Sequence, residues 1–418
     1  MRHFLQIIIA LLALSLSCLA EGENGAPVQP MESIKLLQEQ GIIVVETMKP
    51  WHSLSKKEKE MIDTSKELLR HAEKAEKGEE KWTAYPYVDK IIRLYRYRLK
   101  PDAKFPAGAL QPFLAAGCKS ESATPLHLAC YSAAPSKEIK KLLKGKENVN
   151  AMDVESETPL HDAVRCRLND GLIELLIKKG AEVNAANEDG WTPLHVAAVS
   201  SCSVKTIQVL LKSGANQGAC DKVYRDIPLN FALRANGEKA FFKMLRAGMS
   251  IKTPNFFGAL PLHIACSLGS HEAVAALIKA GSPLDVKNHS LGATPTFLAL
   301  RTCEPRTIKL LIKAGGKVTD TCRLGWNGLL QLAGNKRGSV EIFNILIKEN
   351  VDVNHVDQNK RVPLHGLAMN KEVSEDMVRA FLQAGARLDV KDGRDQTPLD
   401  VARSVKNMTF LRVVEEMK

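Results

Sequence analysis

Apolar residues along most of this 418-residue chain fall on two short helical faces, followed by a polar, turn-rich interval, and the pattern then starts again. In the period from Thr192, Leu194, Val196, Ala197 and Ala198 make a small apolar face behind Thr192 and Pro193. Thr192 is placed to cap a helix, and Pro193 takes the first helical position, where a missing N–H costs nothing. The run VKTIQVLLKSG then sets Val204, Ile207, Val209, Leu210 and Leu211 mostly at helical spacing. Gly214 is expected to end that helix by taking a positive φ. Each period therefore predicts helix, turn, helix and extended loop.

The opening phrase returns nine times, at a spacing of about 34 residues. It begins at Thr124, Thr158, Thr192, Ile227, Leu260, Thr294, Asn327, Val362 and Thr397, which start the first to ninth repeats. The helix ends recur too, in LLIKKGAEVNA, LIKAGSPLDV and LLQAGARLDV. One such unit cannot bury its apolar face alone, so neighbours must stack to make a continuous core. Small Ala in the first helix permits close approach, and Leu and Ile of the second fill the gap between units.

TPLH-x-Ala, then Lys179-Gly180-Ala181, Val183-Asn184-Ala185 and Asp189-Gly190-Trp191-Thr192, resemble the ankyrin repeat. The resemblance covers residues 116–418 and implies an all-α fold, an ankyrin-repeat α-solenoid with a helical N-terminal capping region. At about 10 Å per repeat the stack is expected to form an elongated curved rod. The first helices starting at Thr294 and Asn327 are expected to be less regular, because Pro and His of the phrase are partly lost there. The resemblance also implies that His127, His161, His195, His263 and His365 hydrogen-bond the loops joining repeats. Equivalent positions in adjacent repeats lie about 10 Å apart, too far to share a metal ion.

Ahead of the repeats, Met1-Arg2-His3 precedes the apolar run FLQIIIALLALSLSCLA. One positive charge, about 15 apolar residues and then small residues read as a secretory signal over 1–20, too short for a comfortable membrane span. Two exits are open: cleavage after Ala20, or lipidation of Cys18. Residues 21–30 read as a linker. Residues 31–115 read as a helical cap over the exposed end of the stack, closing with a degenerate repeat in GALQPFLAAGC. Within it, helices are expected from about Ser53 to Lys77 and from Tyr87 to about Leu99. The expected location is outside the cell or in the periplasm, with membrane contact only through Cys18 or a retained signal.

Charge and chemistry refine this picture only slightly. Most of the net charge of +11 lies in the repeats, where many Lys fall on or just after second helices and either complement the helix dipole or attract acidic partners. The nine cysteines form no CxxC and match no zinc spacing; Cys166 and Cys202 are near enough in neighbouring repeats to face each other, and bridges are permitted in an oxidising compartment. Catalytic residues, cofactors and metals are not assigned, and nucleic acid is not expected as a partner of an exported protein. The expected partner is a protein, bound by a monomer.

The resemblance implies that partners meet the hairpin tips, which precede each phrase, and the exposed part of the first helix. Four consecutive tips here carry bulky apolar residues where turns are normally polar. The candidate binding residues are Tyr224, Arg225, Phe256, Phe257, Leu291, Arg323, Leu324 and Trp326, an aromatic-plus-arginine composition typical of interface hot spots. Trp191, directly before Thr192, is read as hairpin packing. The function expected is non-catalytic protein binding by a scaffold in the cell envelope or outside the cell. The alternative is a secreted effector that blocks a host protein.

Overall fold

A computed structural model describes residues 56–81, 123–131, 136–145, 147–200, 202–235, 238–335 and 338–417. The signal segment with Cys18, the linker, the helix expected from Tyr87, and the degenerate repeat with Cys118 lie outside these residues. Among the described residues every regular element is a helix. They fall into two compact units: residues up to Asn216 with Asp221–Val223, and Gln217–Cys220 with Tyr224–Lys418.

The first unit opens with α1 (Lys56–Glu76), within the span expected from about Ser53. Ile62, Ser65, Leu68, Ala72 and Ala75 are buried on it at three- and four-residue intervals, one face of a helix. Three repeats follow as helix pairs: α2 (Pro125–Tyr131) with α3 (Ser136–Leu142), α4 (Pro159–Arg165) with α5 (Asp170–Lys178), and α6 (Pro193–Val199) with α7 (Val204–Lys212). First helices pack on first helices and α5 on α7, giving two helical layers.

Six repeats make the second unit in the same way. Its pairs are α8 (Pro228–Ala235) and α9 (Glu238–Arg246), α10 (Pro261–Leu268) and α11 (His271–Lys279), α12 (Pro295–Thr302) and α13 (Pro305–Lys313), α14 (Gly328–Ala333) and α15 (Val340–Lys348), α16 (Pro363–Met369) and α17 (Glu375–Gln383), and α18 (Pro398–Val405) and α19 (Met408–Glu416). Even-numbered helices stack in one layer and odd-numbered helices in the other.

Helices this short are marginal alone and owe their stability to packing and caps. Leu at the second helical position is fully buried in Leu160, Leu194, Leu229, Leu262 and Leu364. Ala163, Ala197, Ala232, Ala265 and Ala299 are equally buried and small enough to bring adjacent first helices together. Ser203, Ser270, Ser339 and Ser374 cap second helices by accepting from the N–H three residues on. Gly214 ends its helix at φ +86°, as expected, and Asn350 takes φ +58° where the seventh repeat lacks that glycine.

Histidine caps the first helices in a different way. In His161, Nδ1 accepts the Thr158 N–H at 3.1 Å, which leaves Nε2 to donate to the Trp191 carbonyl at 3.0 Å in the next loop. His127 reaches Glu157 O and His365 reaches Gln396 O by the same route. The phrase histidine thus joins a helix start to the following hairpin, as the resemblance implies. Asp400 replaces it in the ninth repeat, and bonds from the Thr397 hydroxyl and N–H hold its carboxyl below the usual range.

The sixth and seventh repeats depart from expectation unequally. Helix α12 is a full 8 residues, with the Thr294 hydroxyl capping it by accepting the Phe297 N–H although the imidazole is missing. Helix α14 is shorter, at 6 residues. There Asn327 combines the cap of the threonine with the bridge of the histidine: Oδ1 accepts the Leu330 N–H at 2.9 Å and Nδ2 donates to Asp352 O at 2.8 Å. Asn327→Ala is expected to cost about 1–2 kcal/mol in urea unfolding, the loss of a helix cap plus a bridging bond. An unchanged midpoint would show that α14 needs neither.

The seven described cysteines form no disulfide with one another. Cys202 donates to Val164 O at 3.1 Å, and Cys303 to Cys266 O at 3.4 Å. Burial pushes the Cys130 and Cys266 thiols well above their ordinary range, so both behave as small core residues.

Candidate functional site

Most hairpin tips are folded by one Asp or Asn five or six residues before the phrase. Asn255 Oδ1 accepts from Phe257 N and Ala259 N, and Asp357 Oδ1 from Asn359 N and Arg361 N. Asp153, Asn187, Asn288 and Asp392 accept from their own tips. With the backbone satisfied internally, the tip side chains project outward. Trp191 follows the packing reading: it is half-buried, and its N–H and carbonyl both bond Asn187.

Successive tips of the second unit are tied into a ladder. Phe256 N donates to Arg225 O, His289 N to Phe257 O, Arg323 N to Leu291 O, Gln358 N to Leu324 O and Gly393 N to Asn359 O. The ladder lines up the apolar tip residues along one edge. Tyr224 is 58% exposed and Phe256 62%, and Phe257, Leu291 and Leu324 are exposed as well. Phe256 and Phe257 meet edge to face at 5.4 Å, and the Arg225 guanidinium lies 5.1 Å from the Phe256 ring centroid. Rings are thus fixed in place while still open to solvent. The side chain of Arg323 lies over Gly292.

Trp326 is placed differently from the other candidates. It is half-buried, its Nε1 donates to Asp357 Oδ2 at 3.1 Å, and the Arg361 guanidinium sits 5.8 Å from its ring. Arg361 in turn holds Asp357 through two bonds of 3.0 and 2.9 Å. The indole is therefore a fixed wall and not a tip. A cleft of about 620 Å³, lined by Leu291, Phe297, Arg301 and Leu324, lies on one side of it. A second, of about 500 Å³, lies on the other side, lined by Leu330, Arg361, Gly366, Met369 and Lys371. Gly334 lines both.

Of the candidates read from the sequence, the tip ladder brings together Tyr224, Arg225, Phe256, Phe257, Leu291, Arg323 and Leu324, and Trp326 joins Leu291 and Leu324 at the first cleft. Arg361, Gly334, Gly366, Met369 and Lys371 do not stand out in the sequence as binding residues. A signal is nonetheless there: counting the first residue of each phrase as position one, position eight carries Arg301, Gly334 and Met369 in consecutive repeats, a hole between two long side chains.

The family model for ankyrin repeats in three copies matches residues 105–187, 126–226, 166–255 and 229–322, which together span just over half of the chain. Human palmitoyltransferase ZDHHC13 is 31% identical over 206 residues, covering 41% of this chain and 33% of that protein. The B-cell lymphoma 3 protein homolog of Mus musculus is 26% identical over 193 residues, covering 45% and 42%. The chain thus spans well under two thirds of the length of both relatives. The human ASB11 ankyrin repeat domain is 25% identical with a TM-score of 0.43, covering 54% of this chain and 97% of that domain. Nine phrase-led helix pairs and the family match lead to one conclusion: the chain belongs to the ankyrin repeat family and is built as a protein–protein interaction scaffold.

Proposed function

We propose that this chain is an exported scaffold that grips a protein partner along the tip ladder and clefts of its fourth to eighth repeats. The observation that carries the reading is the row of solvent-exposed rings at consecutive tips, led by Phe256 at 62% exposure beneath Arg225. Exposed apolar groups held rigid lose little entropy on binding, and aromatic residues beside arginine dominate interface energies. Export rests on the charged start and apolar run of residues 1–20.

Affinity capture from the native compartment tests the binding surface. A Tyr224→Ala, Phe256→Ala, Phe257→Ala variant is expected to bind the principal partner at least about a hundredfold more weakly than the wild type and to recover correspondingly less of it, since each lost anchor removes of order 1–2 kcal/mol. These side chains are exposed, so thermal unfolding should stay within about 2 °C of the wild type. Equal recovery of every partner by both proteins would remove the tips from the binding surface. Mass spectrometry of the mature N-terminus tests export: an acyl group on Cys18 fits an anchored envelope scaffold, a start at Glu21 fits release as a free effector, and an intact Met1 contradicts export.

A further inference from the structure

We propose that the two clefts beside Trp326 take an extended acidic peptide segment, with one apolar side chain in each cleft and a carboxylate on Arg301. The inference rests on the scaffold reading and adds the chemistry of what is held.

Arg301 lacks the acidic counterpart that its equivalents have. Position eight of the phrase is arginine in the second, fourth and sixth repeats, as Arg165, Arg234 and Arg301. In the second repeat Arg165 pairs with Glu157, the residue just before the phrase. In the fourth, Arg234 pairs with Asp226 at the same place. The sixth repeat has Ala293 there, and no carboxylate pairs with Arg301 among the described residues. The nearby Glu304 is engaged by Arg306 at 2.9 Å. The repeat thus presents, at the mouth of a cleft, a cation that its equivalents neutralise internally. None of the residues lining that first cleft is acidic. In the second, Arg361 is neutralised by Asp357, and Lys371 and Glu372 stand side by side. Negative charge is therefore wanted at Arg301, between the apolar walls.

The shape fixes the rest. Gly334 stands between Arg301 and Met369 in the floor, at φ −77°, and its Cβ direction is open, the nearest atom being Leu330 O at 3.8 Å. A side chain is sterically permitted there, so the glycine is not required by the backbone. It leaves room for a ligand. The clefts lie on either side of Trp326, about one repeat or ~10 Å apart. A polyproline-II strand rises about 3.1 Å per residue with three residues per turn, so side chains three apart point the same way and span that distance. Gln331, half-buried in the first cleft, has no side-chain bond to the described residues and offers an amide to the peptide backbone.

Fluorescence polarisation with the full chain tests this. The probes are fluorescein-labelled octapeptides with Leu at positions 3 and 6 and two Glu, two Gln or two Lys between them. The Glu peptide is expected to bind about tenfold or more tighter than the Gln peptide, and the Lys peptide weakest. Arg301→Glu and Gly334→Leu should each weaken the Glu peptide about tenfold or more. Lys348→Glu, the same charge change on the far end of α15, should leave binding unchanged. No preference for Glu, or retention of binding by both Arg301→Glu and Gly334→Leu, would overturn the assignment. So would tighter binding of a single-stranded oligonucleotide. If the tip variant still loses its captured partner while these peptides ignore charge, the scaffold reading stands and the acidic-peptide reading falls.

Discussion

Phe381→Ala should remove about 3–5 kcal/mol from the second unit. Phe381 is fully buried on α17, and its ring lies 4.4 Å from that of Phe343 on α15. On its other side α17 packs against α19, where Phe410, Val413 and Val414 are buried. The side chain thus fills the seam between second helices, and truncation leaves a cavity that short, capped helices can close only in part. Repeats exchange energy only with their neighbours, so the loss should be local. Hydrogen exchange in the variant is expected to lose protection first over residues 362–417, while the fourth to sixth repeats keep theirs. Urea unfolding should show an early step before the main transition. A loss under about 1 kcal/mol, or protection falling evenly along the unit, would contradict nearest-neighbour coupling.

That locality also explains which features could be read from sequence. The helix pairs could, because every period repeats the same punctuation: Thr or its substitute, Pro, buried Leu, small Ala, then Ser, an apolar run and Gly. The second role of the histidine followed from family resemblance, and the bonds from His161 and His365 bear it out. Exposure at the tips also followed, since bulky residues such as Phe256 occupy turn positions held by Asx bonds. What escaped was pairing between repeats. Trp326 looks like Leu324 in the sequence, yet Asp357, one repeat later, turns it into a wall. Nothing within the seventh repeat encodes that contact. The isolation of Arg301 likewise appears only when its repeat is aligned with those of Arg165 and Arg234, and the charge just before each phrase is compared. Gly334 reads as an ordinary helix end, and only its open Cβ direction marks it as a gap. The rest depends on which side chains face each other across a seam, and periodicity alone does not carry that.

Lowering the pH from 6.5 to 4 should weaken the second unit by about 3 kcal/mol through His263 alone. The ring is fully buried, and burial lowers its pKa from 6.5 to about 4, against the pull of the Val286 and Ala293 carbonyls. The reason is geometric as well as dielectric. Nε2 already carries a proton, which it donates to Val286 O at 2.9 Å and Ala293 O at 3.2 Å. A second proton must go on Nδ1, the atom that accepts the Leu260 N–H at 3.0 Å. Protonation therefore sets two donors against each other and strips the cap from α10. The unfolded chain has no such restriction and takes the proton near pH 6.5. Below that value the unfolded state binds more protons than the folded one, so stability is full above 6.5, falls with decreasing pH, and levels off below about 4. At about 1.4 kcal/mol per pH unit, that interval sets the size of the effect. His263→Gln replaces the ring with a group that does not titrate, so its stability should be lower at pH 7 but flatter in acid. The difference between the two urea-unfolding curves should narrow by about 3 kcal/mol from pH 6.5 to 4. The His263 ring signals in NMR should stay those of the neutral form down to about pH 4. Parallel stability curves, or a ring that protonates near pH 6.5, would mean that the buried bond to the next hairpin survives the extra proton.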